Sequence, residues 1–230
     1  MPKLKKTPQK ETRQEQAAKA MSGPQALNQA VWQICDVLRR SNCASALQYV
    51  PELTWILFLR VLDEQEAIER DEAEALGLAY SPSLVSPYRW QDWAAPWSDK
   101  DDGPRTDDGK PMGWKRRTLQ EGKRGDLFAF VNGELLPHLR KLRDKPGATP
   151  KQKVISEIIA PIERTRVDTE SNFADVLDCV HALRFAGTDT QHQFMLSQVY
   201  EGLLLKMGEK NSDGGQFYTP RELIRAMVKA

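Results

Sequence analysis

The chain has 230 residues, 33 Lys plus Arg against 32 Asp plus Glu, 40% hydrophobic residues and only 3 Cys. A formal net charge of +1 excludes a histone-type basic binder, so any nucleic-acid contact must come from local patches. Cys35, Cys43 and Cys179 form no CxxC pair, which excludes a disulfide framework or a cysteine zinc site and fits a reducing cytoplasm.

Residues 1–22 read as a basic, disordered tail without the apolar core of a signal peptide: Lys3, Lys5, Lys6, Lys10, Arg13 and Lys19 face only Glu11 and Glu15. The longest nearly unbroken apolar run, Leu53 to Leu62, is interrupted by Thr54 and Arg60 and falls well short of the roughly 20 residues that span a bilayer. A soluble, cytoplasmic protein with no membrane partner is the expectation.

The first helix opens at Ser22-Gly23-Pro24-Gln25, where Ser22 can cap and Pro24 pre-sets the first turn. Leu27, Val31, Ile34 and Leu38 then draw one apolar stripe along it. A second helix is predicted from about Pro51. Its first half, Leu53 to Leu62, is apolar on nearly all sides and therefore central; the charged run that follows, with Asp63, Glu64 and Glu66, reads as a solvated face.

Between Gly77 and Gly125 the periodicity fails. Pro82, Pro87, Pro96, Pro104 and Pro111 are mixed with Trp90, Trp93, Trp97 and Trp114. An irregular stretch of that length is uncommon in a compact domain unless its own side chains pin it or it carries function, so the tryptophans are read as anchors, with base stacking or partner docking as the alternative. Asp99, Asp101, Asp102, Asp107 and Asp108 make this loop acidic, facing solvent or a basic partner.

Helical periodicity returns with Leu127, Val131, Leu135, Leu139 and Leu142, then in helices from about Asn172 and about Gln191. Strand signals are limited to Leu84-Val85 and Val154-Ile155. Two clusters concentrate cations. One is Lys115, Arg116, Arg117, Lys123 and Arg124; the other, Arg140, Lys141, Arg143 and Lys145, belongs to a stretch at 139–153 with six bases and one acid. Each is either a solvated surface or a phosphate-contact surface. His138, His181 and His192 are scattered without metal-ligand spacing, and neither they nor the cysteines suggest a nucleophile or a metal site.

The densest local chemistry is Gly214-Gly215-Gln216-Phe217-Tyr218-Thr219-Pro220-Arg221-Glu222. Thr219-Pro220-Arg221-Glu222 has the form of a capping box that opens a helix with Leu223, Met227 and Val228 on its apolar face. Free amides beside Arg221 suit a carboxylate or phosphate, and Phe217 and Tyr218 offer flat surfaces to an adenine or a methionine chain.

Gln198-Val199-Tyr200-Glu201-Gly202-Leu203-Leu204, followed by Gly215-Gln216-Phe217-Tyr218-Thr219-Pro220-Arg221-Glu222-Leu223-Ile224, resembles the junction between the helical and catalytic domains in methylation (M) subunits of type I restriction-modification systems. Leu27-Asn28-Gln29-Ala30-Val31-Trp32 and Leu53-Thr54-Trp55-Ile56-Leu57-Phe58-Leu59-Arg60 resemble the first two helices of that helical domain. The resemblance implies a mainly α fold: a helical bundle at 23–208 with the irregular Trp/Pro-rich insertion 77–125, and at 209–230 a linker and the entry helix of an α/β methyltransferase domain. It implies S-adenosylmethionine as cofactor, lined by Gln216, Phe217, Tyr218, Thr219, Pro220 and Arg221, and methyl transfer to N6 of adenine in duplex DNA. The implied partners are a specificity subunit, a restriction subunit and a second M subunit.

The 230 residues contain neither the glycine-rich cofactor turn nor an Asn-Pro-Pro-aromatic motif to receive a flipped adenine. The chain is therefore expected to be an N-terminal fragment without catalytic residues, inactive alone, that supports subunit assembly and guides DNA with the two cation clusters. A methylase fused to its nuclease, or a purely structural helical interaction module with no cofactor, are the alternatives.

Overall fold

The computed structural model describes residues 24–41, 46–97 and 103–183. Among the described residues the fold is helical and no strand forms; an isolated antiparallel bridge pairs Arg105 with Pro111. The first helix, α1 (Pro24–Arg40), buries Val31, Ile34, Cys35 and Leu38 at helical spacing. Arg39 and Arg40 occupy its last turn, where cations suit the helix dipole, and the Ser41 hydroxyl donates to the Val37 carbonyl at 2.9 Å.

The long helix α2 (Ala46–Ala75) starts five residues ahead of Pro51, which it accommodates near its N-terminal end. A proline is a prior for a helix start, and here the preceding turn forms at the cost of one backbone bond. Leu53, Trp55, Ile56, Leu57 and Leu59 are buried, as the apolar run predicts. Each fully buried Leu or Ile contributes about 1.5–3 kcal/mol relative to an exposed one.

The charged half of α2 is not simply a solvated face. Arg60, 3% exposed, pairs with Asp63 at 3.4 Å and with Glu64, while Glu66 accepts the Ser83 N–H at 2.9 Å. Glu66 thereby fastens the start of the insertion to the helix.

Within the insertion, α3 (Trp90–Trp93) and α4 (Trp114–Glu121) form around buried tryptophans. Trp90 and Trp93 are almost fully buried and meet edge to face, ring centroids 5.9 Å apart. The Trp114 indole donates to Asp92 at 2.8 Å, and Asp92 also receives two bonds from Arg89, at 2.9 and 3.0 Å. Gly113 has φ 74°, and a Cβ there would lie 2.6 Å from the Ala95 carbonyl, so only glycine fits the turn into α4. The anchoring reading of the tryptophans holds for Trp90, Trp93 and Trp114.

The acidic reading of this loop needs correction at two residues. Asp107 turns back to pair with Arg70, and Asp108 holds Arg89 at 2.6 Å. Hydrogen bonds from Thr106 and Arg89 keep the Asp108 carboxyl well below its usual range. Asp99, Asp101 and Asp102 lie outside the described residues.

After Gly125 the chain runs through α5 (Asp126–Phe130), a π turn (Val131–Leu135) and α6 (Leu136–Arg140). The apolar residues 127, 131, 135 and 139 recur every four, which on a regular helix drifts about 40° per step. The wider π turn absorbs that drift and keeps Leu127, Val131, Leu135 and Leu139 all buried. A short 3₁₀ turn (Leu142–Asp144) leads to α7 (Pro150–Ile159) and then α8 (Glu170–Ala182). Both strand signals dissolve: Val154-Ile155 lies in α7, and Leu84-Val85 lies in an irregular turn. The core closes where α8 packs on α1 and α2, with Phe173 stacked on Trp55 at 6.3 Å.

Candidate functional site

Gln216 to Arg221, the junction from Gln198, and the helix expected from Gln191 lie outside the described residues. The described part therefore contributes surfaces and clefts, and the nine predicted cations divide sharply among them.

Arg116 is a structural residue, which corrects its assignment as a DNA contact. It is 4% exposed; its guanidinium donates to Asp178 at 2.6 Å and to the carbonyls of Ala94 at 3.0 Å and Ala174 at 3.2 Å. Arg117 lies over the Trp97 ring, 4.6 Å from its centroid, and donates to Glu121 at 2.6 Å. Lys115 approaches the Phe130 ring at 5.1 Å, and Arg140 is half-buried with a bond to the Ile162 carbonyl at 3.0 Å. Lys123, Arg124, Lys141, Arg143 and Lys145 are exposed.

The last three stand at a corner built by α6, the 3₁₀ turn and α7. Helix α7 forms because Thr149 accepts the Gln152 N–H, the Gln152 side chain reaches back to the Thr149 N–H, and Pro150 takes the first helical position. It packs on α6, and the Ser156 hydroxyl donates to the Arg140 carbonyl. This adds exposed Lys153 to the corner. Beneath it, His138 stacks on Tyr88 at 3.8 Å, and burial, then the charge of Lys145, push its pKa down.

A groove of about 1050 Å³ opens between the first turns of α2, α5 and the loop 161–168. Glu52, 2% exposed, lies against its wall with its carboxylate accepting the Thr165 hydroxyl and the Arg166 N–H at 3.2 Å. Burial raises the Glu52 pKa. Phe128 and Ile162 supply apolar lining, and Asn132 accepts the Thr165 N–H at 2.9 Å.

Among the described residues the two thiols, Cys35 and Cys179, are poor nucleophiles. Burial pushes Cys35 up to about 12 and raises Cys179 as well. His181 is likewise committed to packing, its Nδ1 accepting the Trp90 indole N–H at 3.1 Å. No helix among the described residues is long and apolar enough to cross a membrane.

Residues 27–180 match the family described as HsdM N-terminal domain, and residues 191–230 match N-6 DNA Methylase. The methylase match begins at residue 191, ahead of the linker that the resemblance implies at 209. Over 205 residues the chain is 24% identical to the type I restriction enzyme EcoEI methylase subunit of Escherichia coli, covering 88% of this chain and 36% of that protein. Its fold is similar to the crystal structure of a modification subunit assigned to a type I restriction enzyme from Vibrio vulnificus YJ016, with TM-score 0.64 and 26% identity over 90% of this chain and 40% of that one. A second solved chain, described with complex assembly and conformational transition of the type I R-M system, gives TM-score 0.59 and 31% identity over 90% of this chain and 36% of that one. The chain thus spans less than half the length of these relatives. With a helical match running from 27 to 180 and a methylase match directly after it, the chain belongs to the HsdM N-terminal domain family, the helical part of methylase subunits in type I restriction-modification systems.

Proposed function

We propose that this chain is the helical assembly and DNA-facing part of a subunit that transfers a methyl group from S-adenosylmethionine to N6 of adenine in DNA. The observation that carries the reading is the succession of the two matches, with Gln216 to Arg221 inside the methylase one. Gln216, Phe217, Tyr218, Thr219, Pro220 and Arg221 are the residues proposed to line the S-adenosylmethionine site. Aromatic faces at Phe217 and Tyr218 and helix-opening amides near Arg221 suit the adenine and carboxylate of that cofactor.

The specificity subunit, the restriction subunit, a second copy of the M subunit and duplex DNA are the proposed partners, in the cytoplasm. Flipping an adenine and aiming its amino group at a methyl donor requires a receiving motif, and the 230 residues contain no Asn-Pro-Pro-aromatic sequence. The chain by itself accordingly methylates nothing and binds the cofactor weakly or not at all.

Calorimetric titration of the chain with S-adenosylmethionine, and co-purification with the specificity subunit of its system, test the reading. Weak or no heat together with a stable complex agrees with it. Micromolar cofactor binding, or failure to associate with the specificity subunit, contradicts it.

A further inference from the structure

The two cation clusters look equivalent in sequence, and the fold makes them unequal. In the 115–124 cluster, Arg116 is buried against Asp178, Arg117 is held by Glu121 and the Trp97 ring, and Lys115 leans on Phe130. Arg117 remains partly exposed in its pair with Glu121, and Lys123 and Arg124 are exposed close in sequence to Asp126 and Glu121. At the other cluster the fold does the opposite. Arg140 turns in to the Ile162 carbonyl, while Lys141, Arg143 and Lys145 stay exposed, and α7 brings Lys153 to the same corner.

These four cations carry no ion pair within the described residues, and the local acids are Asp144 and Glu157. Long side chains without intramolecular partners, projecting from two packed helices and the turn between them, keep their charge available to an external polyanion. The neighbouring cation Lys151 is spent on Glu69 and does not add to this set.

We propose that the corner formed by Lys141, Arg143, Lys145 and Lys153 is the phosphate-backbone contact of this domain, and that Arg116 in the 115–124 cluster is an internal brace. The inference rests on the DNA-facing role proposed above and narrows it to one face. Such contacts position the duplex without reading its sequence.

The test is fluorescence anisotropy of the 230-residue chain with a labelled duplex of arbitrary sequence across a salt series. Three proteins are compared: the wild type; a corner variant with Lys141→Gln, Arg143→Gln, Lys145→Gln and Lys153→Gln; and a control with Lys123→Gln and Arg124→Gln. All the altered side chains are exposed, and matching circular dichroism melts confirm that each variant is folded. The corner variant should flatten the slope of log affinity against log salt by about 3.6, at about 0.9 for each of four phosphates, with the control unchanged. A wild type that binds with a steep slope which the corner variant retains overturns the corner and leaves the DNA-facing role standing. A wild type with no salt-dependent binding overturns both.

Discussion

Arg116 donates to Asp178 at 2.6 Å, so a cation in the tryptophan-rich insertion is fastened to α8, the last helix among the described residues, 62 residues further on. The same guanidinium also donates to two backbone carbonyls, Ala94 at 3.0 Å and Ala174 at 3.2 Å. Removing it deletes three charge-assisted hydrogen bonds from a site where the arginine itself is 4% exposed. Arg116→Met should therefore cost about 2–4 kcal/mol by chemical denaturation. Asp178→Asn should cost under about 1 kcal/mol, because the aspartate side chain is 49% exposed and water replaces its contact. Equal losses for the two variants would contradict this division.

Gly113 provides a second test of how the insertion is held. Its φ of 74° disfavours any side chain, and a Cβ would meet the Ala95 carbonyl at 2.6 Å. Gly109 has a similar φ of 78° with nothing within 4 Å of a Cβ. Gly109→Ala should cost about 1 kcal/mol from backbone strain alone, and Gly113→Ala clearly more, since the peptide must also move. Thermal melts of the two variants side by side separate strain from collision.

The buried acids predict an uncommon pH response. Burial pushes Asp63 from 3.8 up to about 6, with Arg60 lowering it and Asp107, Glu64 and Glu66 raising it. A carboxyl whose folded pKa is raised favours folding while protonated, so that contribution is present below pH 3.8 and is lost as pH rises through about 6. Glu52, raised by the same cause, adds to the decline. Asp108 works the other way: held low by Thr106 and Arg89, it stabilises above the usual carboxylate range and loses that contribution in acid. Denaturation midpoints followed from acid to neutral pH should fall less steeply in Asp63→Asn than in wild type. An unchanged slope would show that Asp63 titrates normally.

Trp90 joins the insertion to α8 through its indole bond to His181 at 3.1 Å. Trp90→Phe keeps most of the apolar volume and removes the donor, so a loss of about 1–2 kcal/mol is expected. His181→Phe removes the acceptor and leaves a buried indole N–H without a partner. Trp90→Phe combined with His181→Phe should then cost less than the sum of the two, which a double-mutant cycle measures.

Much of this fold is legible in the sequence because its helices are strongly periodic. The stripe Val31, Ile34, Leu38 lies on the buried side of α1, and the Leu53 to Leu62 run is central in α2. The repeat of four from Leu127 to Leu139 carries a subtler message, since it signals the π turn and reads on a regular helix as mere drift. Helix α7 escapes notice although Thr149-Pro150-Lys151-Gln152 is a capping box, because its apolar residues Val154 and Ile155 mimic a short strand. The adjacency of Val154 and Ile155 fits either period, and only the cap decides between them.

The candidate surface is less legible because charge patterns do not say which cations fold inward. Arg116 and Arg117 are adjacent in a basic run, and one is buried while the other covers a tryptophan. The acceptors that claim Arg116, at positions 94, 174 and 178, lie far away in sequence. Likewise Asp107 and Asp108 read as solvent-facing acids, and their partners Arg70 and Arg89 come from other parts of the chain. A local reading sees the charge and misses the partner that tertiary packing brings to it.

The most direct test of the methylase role is transfer of a labelled methyl group from S-adenosylmethionine to duplex DNA, read as N6-methyladenine. It compares this chain alone with a methylase subunit that begins with this chain and is assembled with its specificity subunit. The predicted result is transfer by the assembled subunit, loss of most of it in Phe217→Ala with Tyr218→Ala accompanied by weaker cofactor binding, and none by the chain alone. Transfer that survives those substitutions with unchanged cofactor affinity, or an assembled subunit that yields no N6-methyladenine, would contradict the account.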